Sequence, residues 1–279
     1  LSLHDALPIY QPLHPLLDPL NREVEHREDP GDLPTGARHA PLHGAVGARE
    51  RETPGDGPVK VLFNIHGGPA AQYGLGFFDE FQVYAGAGYA VLEPNYRGST
   101  NYGNAHRTDI VGDYFTLGFD DIMTGVDHLI AEGIVDGDRM GAFGWSAGGH
   151  WSNWILTHTD RFKAISSGAG TMNWISMYAQ SDVQRNRQFY VGDGFLYEDF
   201  ETYWDQSPLK YIMNAKTPTM VHVVEGDPRV PSPQSVELHM ALKKLGVPTE
   251  LFMYPGQSHG IPDPRSRLVK AVSEMAWMD

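Results

Sequence analysis

Gly144-Trp145-Ser146-Ala147-Gly148-Gly149 follows the apolar run Arg139-Met140-Gly141-Ala142-Phe143 and precedes Trp151, Trp154, Ile155 and His158, which recur at spacings of three and four. A run of strand length that passes into a helical face through Gly-x-Ser-x-Gly has the pattern of a nucleophile elbow. The glycines have a mechanical reason: the serine sits in a sharp strand-to-helix turn, where flanking side chains would collide with neighbouring backbone. The pattern predicts that Ser146 stands above the carboxyl end of a sheet. The bare motif also arises by chance in a chain with 31 glycines. The strand before it and the helix after it are what favour the catalytic reading.

Working outward, strands and helices alternate on both sides of the elbow. Upstream, Val59–Ile65 reads as a strand leading into His66-Gly67-Gly68-Pro69, and Tyr89–Glu93 as a second leading into Asn95-Tyr96-Arg97-Gly98-Ser99. Ile122, Val126, Leu129 and Ile130 mark a helix that ends near Gly133. Downstream, strands are expected at 162–166, 218–225 and 249–254. The stripe Leu238, Leu242, Leu245 predicts a helix stopped by Gly246 and Pro248, and 265–277 a final helix. Residues 169–215, rich in Tyr, Trp, Asp and Gln without a single period, read as an irregular insertion with short helices. Alternation of this kind implies an α/β fold, a mostly parallel sheet with helices on both faces.

Residues 1–57 differ from the rest. Pro, Gly, Arg, Glu and His dominate, hydrophobic periodicity is absent, and the expectation is an irregular N-terminal arm followed by one domain over 58–279. The opening Leu-Ser-Leu-His-Asp-Ala-Leu-Pro-Ile looks like a translated sequencing adapter, which predicts a gene fragment. Such an arm offers too little periodic apolar surface to offset an ordering cost of roughly 1–2 kcal/mol per residue, so it is expected to be loosely attached.

The chain has 279 residues and a formal charge of -14, which argues against nucleic acid or anionic membrane surfaces as partners. It contains no cysteine, so disulfides and thiolate metal sites are excluded and neither an oxidising nor a reducing compartment is favoured. Its 13 histidines show no His-Glu-x-x-His spacing, and no metal or other cofactor is expected.

A serine hydroxyl becomes a useful nucleophile when a base takes its proton and a carboxylate fixes that base's tautomer. The strand ending at Glu225 is followed by Gly226-Asp227-Pro228, and the strand ending at Tyr254 by Pro255-Gly256-Gln257-Ser258-His259-Gly260. Asp227 and His259 thus follow Ser146 in the chain order Ser, Asp, His, each after a later strand. Each taken alone has a plain alternative, turn chemistry for Asp227 and solvation for His259. The developing oxyanion needs fixed N–H donors: Ala147, directly after the serine, and Gly68 in the His-Gly-Gly-Pro turn, with Gly67 as the alternative. Trp151 and Trp154 read as helix-packing residues. Trp174, Tyr178, Phe189 and Tyr190 are candidates to line a pocket for an apolar side chain.

Taken together, His66-Gly67-Gly68-Pro69, Asn95-Tyr96-Arg97-Gly98-Ser99, Gly144–Gly149, Asp227-Pro228-Arg229-Val230-Pro231 and Tyr254-Pro255 with His259-Gly260 resemble the catalytic domain of the prolyl oligopeptidase family, from Val59 onward. The branch most resembled is the acylaminoacyl-peptidase-like and dipeptidyl-peptidase-like one. The resemblance implies an α/β-hydrolase fold and a serine peptidase acting on short peptides through Ser146, Asp227 and His259. It also implies loop-stabilising ion pairs for Arg97 and Arg229, with carboxylates such as Asp121. Family members usually carry an N-terminal β-propeller, absent from these residues, and the last helix is expected to be cut short at Asp279. A carboxylesterase on the same machinery is the alternative activity, and a noncatalytic binding protein would be betrayed by a lost triad residue; none is lost.

Overall fold

The computed structural model describes residues 58–279, except Leu75 and Asp193 and the side chains at 186–188. The expected arm lies outside them. The element order is β1 (Val59–Ile65), α1 (Asp79–Gly86), β2 (Ala90–Leu92), α2 (Gly103–Thr108), α3 (Thr116–Ala131), β3 (Val135–Trp145), α4 (Ala147–His158) and β4 (Ala164–Gly168). Then come α5 (Trp174–Gln180), α6 (Gln184–Val191), α7 (Phe200–Asp205), a 3-10 helix (Pro208–Asn214), β5 (Thr219–Val224), α8 (Pro233–Leu245), β6 (Thr249–Tyr254) and α9 (Pro264–Met278).

The strands form one six-stranded sheet in the order β2-β1-β3-β4-β5-β6, with every pair parallel. From β1 the chain steps outward to β2, returns to lay β3 on the other side of β1, and then steps outward through β4, β5 and β6. Between β1 and β3 the connections leave the sheet in opposite directions. That topological switch opens a crevice at the carboxyl ends of the two strands, where open α/β sheets hold their ligands. Ile65 pairs with Gly144 in the β1–β3 register, so the His-Gly-Gly-Pro turn and the elbow emerge side by side.

Parallel strands covered on both faces should be apolar throughout, and β1 is buried from Val61 to Ile65. Its alternate residues serve two cores. Val61, Phe63 and Ile65 pack with Ile122, Val126 and Leu129 of α3 and with Trp151 and Ile155 of α4. Leu62 faces Tyr84, Tyr89, Val91 and Phe143, with Met275 and Met278 of α9 packed against them. Trp151 and Trp154 are buried as helix-packing side chains, and the ring of Trp154 stacks on Phe115 at 4.3 Å.

Helix α9 is fastened to the sheet through buried polar groups. Ser166 donates to Glu274 Oε1 at 2.5 Å, and Lys270 Nζ and Tyr84 OH reach Oε2 at 2.6 and 3.1 Å. Burial disfavours the charge on both Glu274 and Lys270. Their mutual attraction wins, holding the carboxyl below and the amine above their ordinary values.

Several boundaries differ from the sequence expectation. β4 runs over Ala164–Gly168, displaced from 162–166, because Phe162 is buried before the strand begins, edge-on to Phe63 at 5.4 Å. Helices α1 and α2 carry no expectation; α1 buries only Tyr84 and Ala85, and α2 buries nothing, so neither leaves a periodic trace. The insertion expected at 169–215 consists of α5, α6, α7 and the 3-10 helix.

Candidate active site

Ser146 occupies the turn between β3 and α4 with φ 63° and ψ -118°, a conformation that costs a non-glycine residue about 1–3 kcal/mol. Close packing holds it there. Ser146 N donates to Gly168 O at 2.9 Å, and His150 N donates to Ser146 O at 2.9 Å. A Cβ on Gly148 would lie 1.9 Å from Ile65 O, and one on Gly149 2.2 Å from Gly168 O. The elbow therefore packs backbone to backbone against both neighbouring strands.

Asp227 and His259 come from the turns after β5 and β6. His259 Nδ1 lies 2.7 Å from Asp227 Oδ2, while Asp227 Oδ1 accepts from the N–H groups of Arg229 at 2.8 Å and Val230 at 3.0 Å. A carboxylate so occupied is an acceptor on both oxygens, so the facing imidazole nitrogen carries its proton. Nε2 of the neutral ring is then left as a base. The ring's position is also fixed from its own backbone, since Trp145 Nε1 donates to His259 O at 2.9 Å.

Ser146 and His259 share a cavity of about 280 Å³, lined also by Gly68, Pro69, Tyr114, His150, Trp174, Val183, Tyr190 and Arg229. One wall carries the groups with chemistry; the other is largely aromatic. Of the candidate pocket residues, Trp174 and Tyr190 are on this wall. Phe189 lines an adjoining cavity that shares Pro69 and Tyr190. Tyr178 is not on the wall: it packs into the insertion, edge-on to Tyr203 at 5.5 Å.

Ala147 opens α4, so its N–H lies among the first-turn donors that a helix cannot satisfy internally. Gly68 adopts φ +125°, and a Cβ there would come within 2.9 Å of Ala70 N. Both arginines make the expected ion pairs, Arg97 with Asp121 at 3.1 Å and Arg229 with Asp182 at 2.8 Å. Arg229 in addition borders the cavity.

Three wall residues, His150, Tyr114 and Val183, escaped the sequence reading. His150 lies four residues after Ser146, on the same face of α4, and its Nδ1 accepts from Thr171 N–H at 2.7 Å. That spacing is the one signal that could have found it. Tyr114 reaches the cavity from the segment just before α3, and nothing local in the sequence marks it. Among the described residues no group of three or more His, Cys, Asp or Glu could hold a metal ion, and no helix is long and apolar enough to cross a membrane.

A parallel sheet with helices on both faces and a strained serine at a strand-to-helix turn defines an α/β-hydrolase. The profile of the prolyl oligopeptidase family matches residues 75–279, and the chain belongs to that family. It is 38% identical over 235 residues to the uncharacterized peptidase YuxL of Bacillus subtilis, covering 83% of this chain and 36% of that protein. The acylaminoacyl peptidase of Pyrococcus horikoshii superposes with a TM-score of 0.75 at 32% identity, covering 79% of this chain and 37% of that one. An acylaminoacyl peptidase bound to Z-Gly-Gly-Phe-chloromethyl ketone superposes with a TM-score of 0.76 at 31% identity, over 82% of this chain and 37% of its own. The chain thus spans a little over a third of the length of these relatives.

Proposed function

We propose that residues 58–279 form the catalytic domain of a serine peptidase that hydrolyses short peptides through an acyl-enzyme. The Ser146 hydroxyl attacks the scissile carbonyl while His259 Nε2 takes its proton, and Asp227 steadies the resulting imidazolium. The N–H groups of Gly68 and Ala147 receive the oxyanion. His259 then returns the proton to the departing amine, and a water deprotonated by His259 releases the acyl group. The observation that carries this reading is the 2.7 Å contact of His259 with a carboxylate whose other oxygen is already filled by two N–H groups, in a ring bordering the same cavity as Ser146.

The substrate class follows from the aromatic wall of Tyr114, Trp174 and Tyr190, which suits an apolar side chain beside the cleaved bond. A relative that holds a peptidyl chloromethyl ketone ending in Phe supports the same choice. A serine-directed fluorophosphonate should label Ser146 stoichiometrically. Ser146→Ala should lower kcat by about 10⁴-fold or more, and adding His259→Ala should cost little extra because the two act as a unit. Labelling at another serine, or losses that simply multiply, would overturn the assignment.

A further inference from the structure

Beside the catalytic cavity lies a second one of about 340 Å³, which the proposed mechanism does not use. The two share Pro69 and Tyr190, so the second cavity adjoins the first at those side chains. Ile110, Val111 and Phe189 give it an apolar lining, and Val111 and Phe189 stay about half exposed. Its floor is closely packed: a Cβ on Gly98 would lie 3.0 Å from Ile110 Cδ1 and 3.2 Å from Pro69 Cβ. Gly98 N–H also donates to His106 O at 2.9 Å, which ties α2 to the Asn95–Ser99 turn.

Arg107, next to His106 on α2, is the one charged group among the residues lining this cavity. It is exposed, and its side chain makes no hydrogen bond or ion pair among the described residues, not even with Asp109 two positions on. The arginine of the catalytic cavity differs, since Arg229 pairs with Asp182 at 2.8 Å. A guanidinium offers five N–H donors and no acceptor, in a planar fork that fits a carboxylate. An apolar cavity with one unpaired guanidinium on its wall therefore fits a ligand with an apolar stem and an anionic end.

The order of the strands decides which half of a substrate enters. Ser146 follows β3 and His259 follows β6, whereas Gly98 and Arg107 follow β2, and neighbouring strands lie about 4.8 Å apart. Ser146 thus stands between His259 and the second cavity. His259 returns a proton to the departing amine, so the leaving half lies toward β6 and the acyl half extends toward β2. We propose that the second cavity is a subsite for a carboxylate on the acyl half of the substrate, held by Arg107, while the apolar side chain beside the cleaved bond fills the aromatic cavity. The carboxylate can come from an acidic side chain on the preceding residue or from a dicarboxylic cap on the nitrogen. This inference rests on the catalytic reading above, because His259 sets the side on which the acyl half lies. The formal charge of -14 repels anions at long range, so a preference for an anionic substrate must arise from a local cation.

Paired p-nitrophenyl esters test this with the leaving group and the side chain beside the cleaved bond held fixed. One pair is acetyl-Glu-Phe against acetyl-Gln-Phe, and the other is succinyl-Phe against succinamoyl-Phe, so that charge is the main difference within each. At low salt kcat/KM should favour the acid by about tenfold in at least one pair. The pair that responds identifies the source of the carboxylate. Arg107→Gln should bring that ratio to about one, Arg107→Lys should keep part of it, and Arg107→Glu should invert it. Salt at about 0.5 M should shrink the preference of the parent, since the guanidinium is exposed. Each ratio is taken within one variant, so a general change in activity does not disguise it. Equal kcat/KM for acid and amide in both pairs, or a preference that survives in Arg107→Gln, would overturn the proposal. Ser146→Ala is the control on the underlying reading: if it still cleaves the esters, the nucleophile is misassigned; if it is inactive while the parent ignores the charge, only the subsite fails.

Discussion

At the residue scale, the two buried carboxyls of Asp227 and Glu93 differ in the hydrogen bonds their neighbours offer them. Asp227 has one oxygen filled by the N–H groups of Arg229 and Val230 and the other by His259. An asparagine there must keep its oxygen toward the two N–H groups, and so must aim its amide N–H at His259 Nδ1. The imidazole would then carry its proton on Nε2 and could not receive one from Ser146. Asp227→Asn should therefore lower kcat by about 10⁴-fold, and the rate of fluorophosphonate labelling of Ser146 should fall with it. A labelling rate within tenfold of the parent would contradict this. Glu93, just after β2, is the converse. It is fully buried, neither carboxyl oxygen has a hydrogen-bond partner among the described residues, and burial, with Glu80 nearby, pushes its pKa up to about 8. The folded state thus keeps a proton that the unfolded chain releases near its usual value of about 4.3. Stability from this group is fully present below that value and is lost as pH rises toward 8. Glu93→Gln removes the dependence. Its Tm should exceed that of the parent by a margin that grows between about pH 5 and pH 8, and a constant margin across that range would rule out the assignment.

At the scale of elements, the elbow works because β1, β3, β4 and α4 meet with no side chain between their backbones. Gly148→Ala would place a Cβ 1.9 Å from Ile65 O, and relief requires α4 to leave the sheet. A loss above about 4 kcal/mol is expected. Gly86→Ala at the end of α1, where an added Cβ meets nothing within 4 Å, should instead gain a few tenths to about 1 kcal/mol. Chemical denaturation of both variants checks the contrast. The ion pair beneath α9 gives a second test. Glu274→Ala would leave Lys270 with only its longer pair to Glu80, at 3.8 Å, and should cost up to about 3 kcal/mol near neutral pH. Because the Glu274 carboxyl is held below its ordinary value, its contribution is present above about pH 4.3 and lost as pH falls further, so the gap between parent and variant should close in acid. What the sequence disclosed follows the same physics. β1 and β6 were legible to their end residues because each is an unbroken run that starts after a proline and stops at a turn. Ser146, Asp227 and His259 were legible because each sits just past a strand. The aromatic wall was only half legible: Tyr114, Trp174, Tyr190 and His150 converge from the segment before α3 and from α5, α6 and α4, and no local pattern records that they meet.

At the scale of the whole molecule, the switch between β1 and β3 gathers Gly68, Ser146 and Ala147 at one point of the sheet, and the outward run through β5 and β6 brings Asp227 and His259 to the same edge. Everything the bond-breaking step requires in the proposed mechanism therefore lies within residues 58–279. Substrate recognition is a separate matter. The relatives are a little more than twice as long, and the aligned part is 36% of the Bacillus protein and 37% of the solved acylaminoacyl peptidases. Contacts remote from the reacting bond raise kcat for long substrates, because their binding energy is spent on orienting and distorting that bond. An amide, with its poor leaving group, depends on that energy more than an activated ester does. The expected result is that this chain cleaves a short p-nitrophenyl ester readily and turns over an amide of the same acyl group poorly, with both activities lost together in Ser146→Ala. The measurement is kcat/KM for the matched ester and amide, here and in the full-length Bacillus relative. The amide-to-ester ratio should be at least about tenfold lower in this chain. If the two ratios agree, the energy that drives amide cleavage arises within residues 58–279, and the aromatic wall of Tyr114, Trp174 and Tyr190 is its natural source.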